Sequence, residues 1–181
     1  MSAKPKKKDR AGRRLILLRH AKSAWPEGVA DEERPLAPRG RKAAPLMGDY
    51  MARERLVPDL GLVSPARRTQ ETWALVRDKL PGRVDVRDHA GLYEASGAQI
   101  LDVLAEVEAA CRNLLIIGHN PGLQELALLL SDTGNADTRQ KIAEKYPTAG
   151  LVVIDFDTAD WQGVGEGSGR LERFVTPRSL E

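Results

Sequence analysis

The sequence contains little cysteine and few aromatic residues. Its 181 residues include one cysteine, Cys111, and only 4% are Phe, Trp or Tyr, so the core has to be aliphatic. A single cysteine excludes an internal disulfide, and no cluster of cysteine and histidine has the spacing of a zinc site. The Cys-x5-Arg signature of cysteine-dependent phosphatases would need arginine at position 117, where Ile117 stands. We therefore expect neither a thiol nucleophile nor a metal or other cofactor.

Long apolar runs are also absent. The basic start of the chain is followed by only four consecutive apolar residues, at positions 15–18. A signal peptide would contain roughly 7–15, and a membrane span about 18 or more. The chain also lacks the Walker A pattern of nucleotide-binding loops. We therefore expect a cytoplasmic protein that does not bind membranes.

The net charge of +2 conceals an uneven distribution. Residues 1–14 contain seven of the 28 basic and one of the 26 acidic residues, which leaves 21 basic and 25 acidic residues at positions 15–181. A mildly acidic body disfavours binding to nucleic acid. We expect residues 1–13 to form a disordered basic tail, with nucleic-acid or anionic-membrane contact as the alternative, and residues 14–181 to form one domain. The oligomeric state stays open.

Apolar runs alternate with stretches of helical periodicity along the chain. Strands are predicted at residues 14–18, 60–63, 84–87, 113–117, 151–156 and 170–175, and helices at residues 39–54, 66–79, 97–109, 121–130 and 137–145. Residues 21–38 and 131–136 are predicted loops, and Pro45 should kink the first helix or mark a late start. The alternation predicts an α/β fold: a three-layer α/β sandwich with a mostly parallel central sheet.

Two of these strands end next to a histidine. Leu15-Ile16-Leu17-Leu18 is followed by Arg19-His20, and Leu114-Leu115-Ile116-Ile117 by Gly118-His119-Asn120. Ligands of open α/β sheets bind outside the carboxyl ends of the strands, so both imidazoles are predicted to reach one pocket. Two histidines and an arginine suit a phosphoryl group, because arginine presents a fixed fork of donors and a neutral imidazole is a nucleophile. Either histidine alone would more simply be a satisfied turn residue.

A third segment supplies another arginine. Ser64-Pro65-Ala66-Arg67-Arg68-Thr69 follows the apolar run at 60–63 and opens a helix. Backbone N–H groups at a helix N-terminus favour anions, whereas arginines there oppose the helix dipole. We interpret Arg68 as a second phosphate-binding guanidinium and Arg67 as a solvated residue on the helix face.

Together these segments resemble the histidine phosphatase superfamily, which has the phosphoglycerate-mutase-like fold, and within it the compact SixA-like phosphohistidine phosphatases. Arg19-His20 resembles the Arg-His-Gly signature, with Ala21 in place of the glycine. Further matches lie in order along the chain: Ser23, Arg34-Pro35-Leu36 with Gly40 and Ala44, Ser64 to Thr72, Gly118 to Gly122, and Tyr146-Pro147-Thr148.

The resemblance implies a metal-independent reaction. His20 would attack phosphorus and form a phosphohistidine, with its second ring nitrogen donating to a fixed acceptor such as a backbone carbonyl. Arg19, Arg68 and His119 would surround the phosphoryl oxygens, and Ser23 and Asn120 would complete the phosphate site. Glu94 matches the position of the general acid, and burial near Tyr93 would raise its pKa. A helix N-terminal acid or a solvated loop residue is the equal alternative for Glu94.

The resemblance leaves several functions open. The leading hypothesis is a signal-transduction phosphatase that acts on phosphohistidine in a protein. A phosphoglycerate-mutase-type phosphotransferase is disfavoured because Pro26 stands where mutases usually have asparagine. Two further hypotheses are a broad small-molecule phosphomonoesterase and a catalytically dead, phosphate-recognising regulatory module. The mixed charges of residues 21–38, among them Glu27, Asp31, Glu32 and Glu33, predict an acidic pocket rim that repels small polyanions.

Overall fold

A computed structural model describes residues 12–181, and its centre is a seven-stranded sheet with the strand order β3-β2-β4-β1-β6-β7-β5. Six strands run in one direction, and only β6 is antiparallel to its neighbours. The strands are β1 (Arg13–Arg19), β2 (Leu60–Val63), β3 (Asp85–Asp88), β4 (Asn113–Gly118), β5 (Ser131–Gly134), β6 (Leu151–Phe156) and β7 (Gly169–Val175). The helices are α1 (Pro38–Arg53), α2 (Arg67–Arg77), α3 (Gly97–Ala105), α4 (Gly122–Leu130) and α5 (Ala136–Glu144).

The two faces of the sheet form two separate aliphatic cores. Leu15 and Leu17 of β1 belong to the core shared with α3, α4 and α5, whereas Ile16 and Leu18 belong to the core shared with α1 and α2. Successive side chains of a strand point to opposite faces, so an unbroken apolar strand must be covered on both sides. The predicted three-layer α/β sandwich with a mostly parallel sheet is confirmed.

Several predicted boundaries were wrong. The first strand begins at Arg13, because the buried Arg13 guanidinium donates to the carbonyl of Ala109 and fixes this residue to the fold. Of the tail predicted at residues 1–13, residue 13 therefore belongs to β1 and residue 12 directly precedes it. Positions 1–11 lie outside the described residues. The predicted loop at 131–136 contains β5, an edge strand. The helix α3 ends at Ala105, four residues early, and α1 runs through Pro45 instead of starting after it.

The parallel pairing of β1 with β4 brings the two histidine-bearing strand ends together. In this register Arg19 lies beside Gly118, and the His20 amide donates to the Gly118 carbonyl at 3.1 Å. On the other side of β4, the Ser64 amide at the end of β2 donates to the Ile117 carbonyl at 3.1 Å. Three carboxyl-terminal strand ends therefore form one edge. Within residues 12–181 no helix is long and apolar enough to cross a membrane.

Candidate active site

The imidazole of His20 is buried and held in one orientation at the end of β1. Its Nδ1 lies 2.8 Å from the Ala21 carbonyl, which can only accept, so Nδ1 carries the proton. Burial and, to a lesser extent, His119 and Arg19 lower the pKa of His20 to about 3. The ring is therefore neutral near pH 7, and Nε2 keeps its lone pair. The backbone carbonyl expected to fix this tautomer is that of Ala21.

Ala21 itself is fixed by the helix that carries Arg68. Its amide donates to the Thr72 Oγ1 at 3.0 Å, and the same hydroxyl donates to the Arg68 carbonyl at 2.7 Å. Ala21 is fully buried in place of the expected glycine. Thr72 thus links the loop that orients His20 to α2.

His119 lies across the site from His20, with ring centroids 5.4 Å apart. Its Nε2 is 2.8 Å from Ser64 Oγ, and its Nδ1 is 3.4 Å from the Arg68 guanidinium. Because arginine can only donate, Nδ1 is the acceptor in the neutral ring and Nε2 carries the proton. Burial and, to a lesser extent, the neighbouring Arg68 lower the pKa of His119 to about 4.

The two predicted phosphate-binding arginines lie beside these rings, and each has a free donor. The Nε atoms of Arg19 and Arg68 are buried and have no hydrogen-bond partner within the described chain. Arg19 donates to the Tyr146 carbonyl at 2.9 Å but forms no ion pair with any acid of residues 12–181. Burial lowers the pKa of Arg19. A partly buried cation without an ion pair is costly, so the position of Arg19 fits a site that binds an anion.

Asp31 is the main site residue whose contacts the sequence did not reveal. Its carboxylate accepts from Arg68 at 3.0 Å, from Arg34 at 2.9 Å and from the hydroxyl of Tyr93. The Tyr93 hydrogen bond and then the two arginines hold the pKa of Asp31 well below its usual range. Burial and the Asp31 carboxylate raise the pKa of Tyr93 to about 12.

The remaining predicted residues line the same cleft with different contacts. Ser23 is buried, and its hydroxyl accepts from Arg34 at 2.6 Å, while the Asn120 amide donates to the Tyr146 carbonyl at 3.1 Å. Glu94 also lines the cleft but is exposed, so the expected burial near Tyr93 is absent. Arg67 points away to Glu71, at 3.4 Å, with about half of its side chain exposed.

The cleft has a volume of about 510 Å³, and its lining carries the acids Asp31, Glu94 and Glu125 beside four basic side chains. Of the four acidic residues predicted at the rim, only Asp31 lines the cleft, and it is paired with arginines. The repulsion of small polyanions stays a prediction, because the other three predicted acids lie outside the lining whereas two further acids belong to it. Trp25 stands on the rim, 76% exposed, with the Arg34 guanidinium 3.2 Å from its ring centroid.

Comparisons with known proteins agree with this geometry. Residues 15–110 match the model of the histidine phosphatase superfamily (branch 1). An uncharacterised protein of Mycobacterium tuberculosis strain H37Rv is 35% identical over 163 residues, which cover 89% of this chain and 100% of that protein.

Solved structures show the same fold in SixA proteins. A protein described as the phosphohistidine phosphatase SixA of Nakamurella multipartitia has a TM-score of 0.78 and 25% identity, covering 92% of this chain and 96% of its own. The corresponding protein of Agrobacterium tumefaciens has a TM-score of 0.76 and 28% identity, with 91% and 98% covered. The chain therefore belongs to the histidine phosphatase superfamily and is SixA-like.

Proposed function

We propose that this phosphatase hydrolyses phosphohistidine in proteins through a covalent intermediate on His20. The observation that carries the proposal is the neutral, buried His20 ring, fixed through Nδ1 and placed beside two guanidinium groups with unpartnered Nε donors. A nucleophile needs its lone pair at neutral pH, and a phosphoryl group needs preorganised positive charge. The site supplies both.

The first step forms a bond between His20 Nε2 and phosphorus while the bond from phosphorus to the substrate nitrogen or oxygen breaks. The leaving group departs with the electron pair and takes up a proton. Arg19 and Arg68 donate to the phosphoryl oxygens, and His119 donates to them once its Nδ1 takes up a proton beside the anion. The Ala21 carbonyl keeps the Nδ1 proton of His20 in place. Water then attacks the phosphorus, releases inorganic phosphate and restores neutral His20. Such a transfer depends mainly on positioning and charge stabilisation, which these side chains provide without a metal.

Glu94 is proposed as the proton donor for leaving groups that need one. It lines the cleft and adopts left-handed backbone, with φ of 53°, which is uncommon for a residue other than glycine. Such conformations concentrate at functional sites, where they aim a side chain. A phosphoimidazole leaves easily, so Glu94 matters less for phosphohistidine than for a monoester.

Phosphohistidine is favoured over phosphoglycerates by two features of the cleft. Pro26, which replaces the asparagine of mutases, is exposed and does not line the cleft. The half-open rim presents the exposed face of Trp25, which suits a polypeptide carrying the phosphorylated ring. The SixA relatives are described as acting on phosphohistidine, in agreement with this choice.

A substrate panel with trapping of the intermediate tests the proposal. The wild type should show a higher kcat/KM on a phosphohistidine peptide than on 3-phosphoglycerate or 2,3-bisphosphoglycerate, and ethylenediaminetetraacetate should leave the rate unchanged. Brief reaction with labelled substrate should leave acid-labile, base-stable label on His20, and His20→Ala should abolish it. Label on Cys111 or an aspartate would refute the mechanism. Efficient interconversion of phosphoglycerates would favour the mutase, and an inactive but phosphate-binding wild type would favour the regulatory module.

A further inference from the structure

A second cavity adjoins the active site and is strongly basic. It has a volume of about 710 Å³ and lies between α1 and α5, beside the end of β7. We call it the basic groove. Its apolar lining is contributed by Ala43, Leu46, Pro147, Phe174 and Pro177, and its cations are Lys22, Arg39, Lys42, Lys141, Lys145 and Arg178.

The charges of the basic groove are not neutralised within the described chain. None of the six cations has a carboxylate oxygen within 4 Å, whereas many arginines elsewhere on residues 12–181 form such ion pairs. Among residues 12–181, only two acids line the groove, Glu144 and Glu181. Residues 15–181 as a whole have 21 basic and 25 acidic side chains, so the groove is positively charged on a body that has a negative net charge.

Fold stability does not account for these cations. Like charges at close range destabilise a folded protein. Arg39 and Lys42 lie in the first two turns of α1, where the helix dipole disfavours positive charge, and the first turn contains no acid. All six side chains are exposed, so none is required to fill a core. An external anion is the partner that would relieve the repulsion.

The basic groove is continuous with the catalytic cleft. Lys22 and Thr148 line both cavities. Lys22 is two residues beyond His20, and Thr148 is two residues beyond Tyr146, whose carbonyl anchors Arg19. A chain whose phosphorylated residue reaches His20 can therefore pass over Lys22 into the groove.

We propose that the basic groove binds an acidic segment of the phosphorylated protein, next to the residue from which the active site removes phosphate. This assignment rests on the proposed function. An acidic polypeptide complements both the cations and the apolar floor, whereas single-stranded nucleic acid would need stacking surfaces and Phe174 is the only aromatic residue of the lining. Exposed charges of this kind mainly increase the association rate and weaken with salt.

The test compares two phosphohistidine peptides that differ only in flanking residues, acidic in one and amide in the other. Wild-type kcat/KM should favour the acidic peptide by about tenfold at low salt, since several exposed charges each contribute a small attraction, and the preference should fade in high salt. Lys42→Glu with Lys141→Glu should remove the preference while leaving kcat/KM on p-nitrophenyl phosphate unchanged. The matched control is Arg83→Glu with Arg112→Glu. Both arginines are exposed and lie just before β3 and β4, at the edge of the sheet opposite the active site.

A binding measurement separates this inference from the proposed function. Fluorescence anisotropy of the unphosphorylated acidic peptide should show binding that Lys42→Gln with Lys141→Gln weakens and the control does not. All variants retain the basic residues of positions 1–11, so any difference reports the groove. Groove-dependent binding supports the inference even if phosphohistidine is not hydrolysed, in which case only the proposed function fails. Equal kcat/KM for both peptides, or groove-dependent binding of single-stranded DNA or phosphatidylserine vesicles without peptide binding, would overturn it.

Discussion

Arg68 connects His119 to the loop at residues 21–38 that lines the cleft. Its guanidinium contacts the Asp31 carbonyl at 2.7 Å, the Asp31 carboxylate at 3.0 Å and His119 Nδ1 at 3.4 Å. A guanidinium this deeply buried requires an anion nearby. In the free protein that anion is the Asp31 carboxylate, so an incoming phosphoryl group has to share Arg68 with it.

The adjacent arginines of α2 provide a matched test of the phosphate site. Arg68→Ala should lower kcat/KM by about 10² or more, because a preorganised stabiliser of transition-state charge is lost. Arg67→Ala should be nearly silent, since that side chain is half exposed beside Glu71. Arg19→Ala and His119→Ala should resemble Arg68→Ala. Steady-state kinetics on a phosphohistidine peptide measure the effect, and a critical Arg67 with a dispensable Arg68 would contradict the assignment.

Removing the charge of Asp31 should tighten phosphate binding. Asp31→Asn preserves the shape of the side chain but leaves Arg68 without its competing carboxylate, so the Kd for inorganic phosphate should fall about fivefold, which is roughly 1 kcal/mol. The Asp31 charge raises the pKa of His119, so the same variant should lower that pKa further. Calorimetry and imidazole NMR measure the two effects. Weaker phosphate binding would mean that the carboxylate is needed to position Arg68.

At the same residue scale, the sequence predicted the positions of His20, His119, Arg19 and Arg68 because each follows a strand or opens a helix. Asp31 escaped prediction as a partner of Arg68, since it lies in a loop without hydrophobic periodicity and Tyr93 is 62 residues away. The exposure of Glu94 contradicts the burial expected near Tyr93 and agrees with the alternative of a solvated loop residue. Its exposure depends on the local turn after Leu92, which no pattern in the sequence indicates.

At the scale of elements, the predictable strands were those with apolar side chains. β2 and β6 match their predicted bounds, because apolar residues dominate both segments. β5 has the sequence Ser-Asp-Thr-Gly and is mostly exposed, so only its pairing with β7 at the sheet edge makes it a strand. Edge pairing of polar residues is a tertiary effect that local periodicity cannot reveal.

The approach of α1 to the catalytic loop depends on Gly40. A Cβ at this position would lie 2.1 Å from the Lys22 carbonyl oxygen, a backbone atom two residues beyond His20. Gly40→Ala should therefore destabilise the protein by about 1–3 kcal/mol, as overpacking does, and should lower kcat/KM below the melting temperature by displacing the loop. Urea unfolding and kinetics measure both. Gly165→Ala, where a Cβ has open space, should change neither; a neutral Gly40→Ala would disprove the close approach.

At the scale of the whole molecule, the active site opposes stability. Two neutral histidines and two arginines occupy the carboxyl edge of the sheet, between cores that are otherwise aliphatic. Each of these polar side chains would be more stable in water than at this site. Such sites are retained for function at the expense of stability. The stability lost through the buried histidines can be measured because it depends on pH.

The free energy of unfolding should fall as the pH is lowered from 7 to 5. Burial lowers the pKa of His20 to about 3 and of His119 to about 4, whereas both titrate near 6.5 in an unfolded chain. Below pH 6.5 the unfolded state therefore binds protons that the folded state does not, and stability decreases by at most about 1.4 kcal/mol per pH unit for each histidine. The carboxylate of Asp31, whose pKa is also lowered, loses its contribution only below about pH 4, outside this window.

Urea unfolding at pH 5, 6 and 7 measures how the free energy of unfolding changes with pH. The double variant His20→Gln with His119→Gln should flatten this slope. His89→Gln, a change outside the active site, should preserve it. A slope that is absent in the wild type, or that survives the loss of both active-site rings, would show that the two histidines are not held neutral by burial.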